Sequence, residues 1–504
     1  MIAAAGVVLL IWAIGKAMLP DRDEIARSRW EDASLAYLVG VSAVVLLGNL
    51  LLAVNLSMTV VAVAFACIGL IALRRCHNKR GGAVANTGLP SWQWALLLVL
   101  GLASIAATLA YPINEFDPML HFAYKGKVLY HAGTPFDPSL TGMLNSDDKL
   151  ATYGRVVTHP NYPLGIPILE ALVAKFSTTW NDRWIQLPLA FWAACLPGAV
   201  FFGLRSVSKK AARAGALIAA CTPILYARNI MEMGWGSLDQ AGLTSELSLG
   251  AGADLPVAAL VTAACALLLV GMRQSHLRLQ LLGGLCLAGA AMMKNEGQAI
   301  LGVVFLALLT GGLIPPLSRR APTSKATSAA MIVSILAILP WLSIRSHLPA
   351  IDENYTDHFT PSKIAHFLTG GAEIVEKSPK AIIGKDDEAL ANPPARMDHL
   401  PGYFWEEFTD WRSWGLIWLL LLAALPWTLR ELKDPTRRWL ALIALGGVAL
   451  YFLILLVTPW YLPLLREKGI PERLLLHLLG PISMLIGWRL GGQDEKAEEL
   501  AGSE

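Results

Sequence analysis

Glu115 and Asp117 stand at the foot of an apolar run that ends near Tyr111, and Lys125 and Lys127 follow one or two helical turns later in NEFDPMLHFAYKGKVLYHAG. A carboxylate beside a membrane can take the proton of an acceptor hydroxyl, and paired lysines can hold an anionic headgroup. Residues two apart do not share a helix face, so one of the two acids is expected to enter a cleft. Two plainer readings stand beside these. An acid outside a span can simply solvate the helix end, and lysines on an amphipathic surface helix can snorkel toward headgroups. The same loop closes on THPNYPLGIP, where two prolines fix the chain and His159 can donate to a phosphate or ligate a metal. No second His sits at ligand spacing, so a metal set is not indicated.

Other ionisable residues fall at the mouths of apolar runs, where they are costly unless paired or functional. Asp254 opens GAGADLPVAAL, as a site residue, as an N-cap ahead of Pro256, or as both at once. Lys294 and Glu296 interrupt LAGAAMMKNEGQAILGVV, as a phosphate cation or as a structural Lys–Glu pair. Arg345 ends one run, and Arg473 begins another in GIPERLLLHLLGPI with His477 one turn in. An arginine there can grip phosphate bidentately or anchor the helix at the interface. Tyr403, Phe404, Trp405, Trp411 and Trp414 form either an interfacial belt or a stacking platform for an acceptor sugar.

The elements that must position these residues are membrane helices. Of 504 residues, 55% are hydrophobic and 16% charged, against roughly a quarter charged in soluble domains. Thirteen spans are expected, at 2–19, 35–53, 56–73, 93–111, 184–204, 212–230, 254–272, 279–293, 297–315, 326–345, 413–430, 438–458 and 473–489. The basic loops 74–80, 205–213, 273–278, 318–320 and 430–438 should face the cytoplasm. All five fall on one side if 163–179, short and broken by Pro163, Pro167, Glu170 and Lys175, is interfacial or re-entrant instead of crossing. The opposite side then receives the long loops 112–183, 231–253, 346–412 and 459–472. MIAAAGVVLLIWAIGKAMLP reads as a retained first span, and the tail 491–504 as disordered and cytoplasmic. The six cysteines avoid the long loops, so neither a disulfide nor a cysteine metal site is expected.

FDPMLHFAYKGKVLYHAG, HPNYPLGIPIL, GADLP, MKNEG and ERLLLHL together resemble, in order, landmarks of the GT-C class of membrane glycosyltransferases, in particular bacterial relatives of the protein O-mannosyltransferase and lipid A aminoarabinose transferase group. The resemblance runs from about 93 to 490. It implies an all-α polytopic fold, a GT-C-like core whose outer loops carry short interfacial helices. The domains expected are a three-span extension at 1–92, a catalytic module at 93–345 holding loop 112–183, an outer loop at 346–412 and C-terminal spans at 413–490. It implies inverting transfer of a sugar from a polyprenyl-phosphate-linked donor to an acceptor hydroxyl (on protein, lipid or glycan) at the outer face of a bacterial inner membrane. Asp117, which matches the family's aromatic-Asp step, is favoured over Glu115 as base. Lys125, Lys127, His159, Lys294, Arg345 and Arg473 are implied for the donor phosphate, with Asp254 and Glu296 as further candidates. Four of the cations, Lys125, Lys294, Arg345 and Arg473, are expected to converge. No cofactor is required; the chemistry is compatible with a divalent cation without compelling one. Membrane lipids are expected partners and nucleic acid is not. Phe116 splits the family's paired acidic motif, so either acid remains open as base. An O-antigen polymerase or ligase, relying on outer-loop Arg and His, and a lipid-linked glycan transporter are the alternative readings.

Overall fold

The computed structural model describes residues 1–78, 89–110, 112–113, 118–137, 140, 159–225, 253–313, 324–348, 359–369, 396–430, 432, 434–458 and 469–491. Every regular element among them is helical. Helices α1 (Ile2–Met18), α2 (Arg29–Ala53), α3 (Met58–Asn78) and α4 (Ser91–Ala110) come first. A π-helical turn, Pro118–Ala123, runs straight into α5 (Tyr124–His131), and α6 is Gly165–Ser177. A 3₁₀ segment, Trp184–Phe191, leads into α7 (Trp192–Arg205), followed by α8 (Lys209–Ala220) and the long apolar pair α9 (Asp254–Arg273) and α10 (Leu277–Ala291). Then come α11 (Asn295–Leu313), α12 (Ser324–Arg345), α13 (Pro361–Leu368), α14 (Arg396–Thr409), α15 (Ile417–Arg430), α16 (Pro435–Val457), α17 (Ile470–Leu476) and α18 (Leu479–Gly491).

Among the described residues seven helical stretches are long and apolar enough to cross a membrane, or eight if the bent pair α17 and α18 is one broken span. Four more, at Ile2–Met18, Leu277–Ala291, Asn295–Thr310 and Ile417–Thr428, are apolar but shorter. The expected thirteen is therefore not reached by this criterion. The span expected at 212–230 begins as α8, but that helix stops at Ala220.

α2 and α9 form the centre. Ser28 starts α2 with a capping box: its Oγ accepts from the Glu31 amide at 3.2 Å, and Glu31 accepts from the Ser28 amide at 2.6 Å. α1 crosses α2 through small residues. A Cβ on Gly15 would strike the Ala36 carbonyl, and one on Gly40 the Ile11 carbonyl. Membrane helices gain little from hydrophobic burial against lipid, so this backbone approach supplies packing and dispersion contact instead. α2 also packs on α7, α10 and α12, so this N-terminal helix is part of the bundle.

Contacts between helix termini define two ends. At one, Arg205 meets Glu31 at 3.0 Å, Arg273 meets Asp434 at 3.7 Å, and Arg278 Nε donates to the Met18 carbonyl at 2.8 Å. This is the basic end, where the described parts of the expected loops 205–213, 273–278 and 430–438 lie. At the other, Lys294 meets Asp254 at 2.7 Å and Arg473 meets it at 2.8 Å. α6 belongs to that second end at both termini. The Gly165 amide donates to the Met292 carbonyl at 2.8 Å, and Arg183, just past α6, donates to the Ala110 carbonyl at 3.0 Å. α6 is 13 residues long and both of its ends lie at this end of the bundle, which is compatible with an interfacial or a re-entrant segment.

Candidate functional site

Three distant elements deliver one buried cluster at the second end. Asp254 is the first residue of α9, Lys294 lies in the turn between α10 and α11, and Arg473 sits in α17. Lys294 Nζ donates to Asp254 Oδ1 at 2.7 Å, Arg473 Nε donates to Oδ2 at 2.8 Å, and His477 Nε2 lies 3.1 Å from Oδ1. Glu296 approaches the same Lys294 ammonium at 3.2 Å. Tyr451 of α16 closes the far side, its hydroxyl 2.6 Å from His477 Nδ1. Asp254, Lys294, Arg473 and His477 are all buried.

Asp254 was open to a second role as helix N-cap. The cap is Ala253, with no side-chain capping bond, and the Asp254 carboxylate is spent wholly on the cluster. Its Oδ1 is engaged by Lys294 and His477 and its Oδ2 by Arg473. Its chemistry is that of an orienting anion, holding two cations in place. Burial alone would lower the Lys294 ammonium, but Asp254 and then Glu296 outweigh it and hold it above its ordinary value. Lys294 is thus a stable cation at a helix turn. The Lys–Glu pairing and the phosphate-cation reading of that turn are compatible, because Glu296 is the more exposed member.

Lys125 lies elsewhere. Its ammonium donates to the Tyr162 carbonyl at 2.8 Å and the His159 carbonyl at 3.1 Å, and it is fully buried. Snorkelling is therefore excluded for Lys125, while Lys127, on the same helix, is exposed. Burial pushes the Lys125 ammonium well below its ordinary range, which makes it a weaker phosphate cation than Lys294. The His159 ring packs 4.1 Å from His121 and 4.8 Å from Tyr162, centroid to centroid. Lys125 and His159 form one aromatic-lined clamp that closes the loop. Arg345 ends α12, half-buried. Of the four cations expected to converge, Lys294 and Arg473 meet on Asp254, and Lys125 is bound to the loop clamp instead. Glu115 and Asp117 lie outside the described residues. Among the described residues no three His, Cys, Asp or Glu side chains are grouped as metal ligands.

Tyr451 went unread in the sequence because one tyrosine within LGGVALYFLILLV carries no spacing signal. Glu170 was read only as a fault in a span. It is fully buried in α6, both carboxyl oxygens lack a hydrogen-bond partner, and Oε2 sits against Gly126 of α5. A Cβ at Gly126 would come within 2.8 Å of that oxygen and 3.0 Å of the Trp180 ring. Burial, with Asp182 adding to it, pushes the Glu170 carboxyl well above the ordinary carboxylate range.

No protein-family model matches the chain, and no curated protein matches it in sequence. Solved structures that it resembles include the oligosaccharyltransferase of Archaeoglobus fulgidus in the apo form, at 10% identity and a TM-score of 0.42, covering 81% of this chain and 52% of that one. The same enzyme tethered to an acceptor peptide gives 10% identity and 0.43, covering 82% and 51%. The archaeal oligosaccharyltransferase AglB of the same organism, in complex with an inhibitory peptide and a dolichol-phosphate, gives 10% and 0.42, covering 82% and 52%. The chain spans about half the length of these proteins. A likeness of this degree assigns neither substrate nor mechanism.

Proposed function

We propose that this chain transfers a sugar from a polyprenyl-phosphate-linked donor to an acceptor hydroxyl, with inversion, at the bundle end that carries Asp254. The observation that carries the reading is the pairing of Lys294 and Arg473 on one buried carboxylate, at the bundle end where α6 begins against Met292. Departure of a lipid phosphate leaves a stable anion, so the reaction gains more from fixed cations than from a strong acid. Asp254 holds both cations in position before the donor arrives, which removes the cost of organising them during the reaction. His477, fixed between Asp254 and Tyr451, adds a third donor to the same cluster. The base is assigned to Asp117, with Glu115 the second choice, because Asp254 is consumed by its cations.

Purified protein supplied with a polyprenyl-phosphate sugar should form glycosylated acceptor and release polyprenyl phosphate. Asp117→Asn keeps the side chain's size but cannot accept a proton. Its turnover should fall by about 10²–10⁴-fold, with donor binding kept and Glu115→Gln milder. A dead Glu115→Gln beside a normal Asp117→Asn moves the role to Glu115. Full activity in both variants, or donor carried across the bilayer without transfer, overturns the reading in favour of a polymerase, ligase or transporter.

A further inference from the structure

Segment 159–164 joins two parts of the molecule that lie far apart in the chain. On one side it is held by α5 and the π-helical turn before it. Lys125 Nζ donates to the His159 carbonyl at 3.1 Å and to the Tyr162 carbonyl at 2.8 Å. The His159 amide donates to His121 Nδ1, in the turn, at 3.3 Å. Further along, the Tyr130 hydroxyl of α5 donates to the Thr178 carbonyl, at the end of α6, at 2.8 Å. The turn, α5 and α6 are therefore fixed to one another along their length. On the other side the segment leads into Gly165, whose amide donates to the Met292 carbonyl at 2.8 Å, two residues before Lys294. A Cβ at Gly165 would stand 2.5 Å from that carbonyl oxygen, so the approach admits no side chain.

Lys125 is placed to hold backbone and not a donor phosphate. Two of its N–H groups are on the carbonyls of segment 159–164, and the Phe122 and Tyr162 rings each lie 5.8 Å from Nζ, within cation–π reach. The residue is fully buried among them. Asp117 is bonded to Pro118, the first residue of the turn, so its Cα is within about 3.8 Å of a residue that the clamp fixes. Lys125 thus connects the turn next to Asp117 with the turn that carries Lys294, by way of Gly165 and Met292.

We propose that Lys125 is a positioning residue for the transfer: through segment 159–165 it sets the register between the turn that follows Asp117 and the cations Lys294 and Arg473. This inference rests on the transfer reading given above. Base and donor phosphate must meet in one geometry, and a misplacement of about 1 Å can cost about 10²-fold in rate. The π-helical turn and the Lys294 turn come from distant parts of the chain, so only tertiary contacts can hold that distance. Lys125 supplies one end of such a contact and the close approach of Gly165 to Met292 the other.

The test uses the purified full chain in detergent, with turnover of a polyprenyl-phosphate sugar and binding of undecaprenyl phosphate measured on the same samples. Lys125→Met should lower kcat by about 10²-fold while undecaprenyl phosphate affinity stays within about twofold of wild type. An affinity loss of about tenfold or more, the size of one charge-assisted contact, makes Lys125 a donor ligand and overturns the proposal, as does an unchanged kcat. Gly165→Ala removes no charge, should give the same split, and serves if Lys125→Met does not fold. Because both act through one contact, the double variant should be no slower than the slower single; losses that multiply overturn the link. Hydrogen exchange separates this proposal from the transfer reading. In Lys125→Met the amides of α5 and those of residues 292–297 should lose protection together. Unchanged protection at 292–297 overturns the link even in an active enzyme. Joint loss of protection in a chain that transfers no sugar supports the link and strikes the transfer reading alone.

Discussion

Removing the Asp254 carboxylate is the most direct probe of the buried cluster. Asp254, Lys294 and Arg473 are 4%, 5% and 4% exposed, so solvent cannot replace the lost charge. Taking one member from a buried ion pair costs about 3–5 kcal/mol, because the partner is left buried and uncompensated. The two partners do not suffer equally. Lys294 retains Glu296 at 3.2 Å, whereas Arg473 loses the acceptor of its Nε. Asp254→Asn keeps one oxygen to accept a hydrogen bond and should cost about 3 kcal/mol, the lower end of that range; Asp254→Leu should reach about 5. Glu296→Gln, at a side chain 21% exposed, should cost no more than about 1 kcal/mol. The assay is the thermal loss of the monodisperse peak in detergent, compared across the three variants and wild type. Combining Asp254→Leu with Lys294→Met and Arg473→Met removes the three most buried charges, leaves only the more exposed Glu296 without its cation, and should recover part of the loss. The reasoning fails if Asp254→Asn melts with wild type, or if Glu296→Gln loses as much as Asp254→Leu.

Glu170→Gln should raise the melting temperature at neutral pH. The folded carboxyl titrates above the unfolded one, whose value is about 4.3, so its contribution is full below that pH and is lost as pH rises. The variant's advantage should vanish toward pH 4, and a constant offset at all pH values would refute this. Cysteines introduced near residues 140 and 208 should be labelled from opposite sides of the membrane if α6 does not cross; labelling of both from one side would sink the topology. Gly40→Val should drive α1 from α2 and destabilise by about 1–3 kcal/mol or more, read as an earlier melt, whereas a wild-type melt would show that the crossing is not close-packed.

Composition and the run lengths of apolar residues were enough to establish a helical membrane protein, because a chain in hydrocarbon must satisfy its backbone bonds within each helix. The charges in the short loops also announced which helix ends gather together, and the Arg205–Glu31 and Arg273–Asp434 contacts agree with that grouping. Asp254, Lys294, Glu296 and Arg473 could each be singled out from the sequence, since a charge at the mouth of an apolar run is expensive. Their partnership could not. Lys294 and Arg473 are 40 and 219 residues from Asp254, and no local period links them. Only the packing of α9, the α10–α11 turn and α17 turns three isolated charges into one cluster and makes Asp254 an anchor instead of a cap or a base. Lys125 shows the opposite outcome: an amphipathic pattern pointed it at the membrane surface, and the fold buried it on two loop carbonyls. Periodicity reports which face of a helix is apolar. It does not report what covers that face, because the covering segment arrives from elsewhere in the chain.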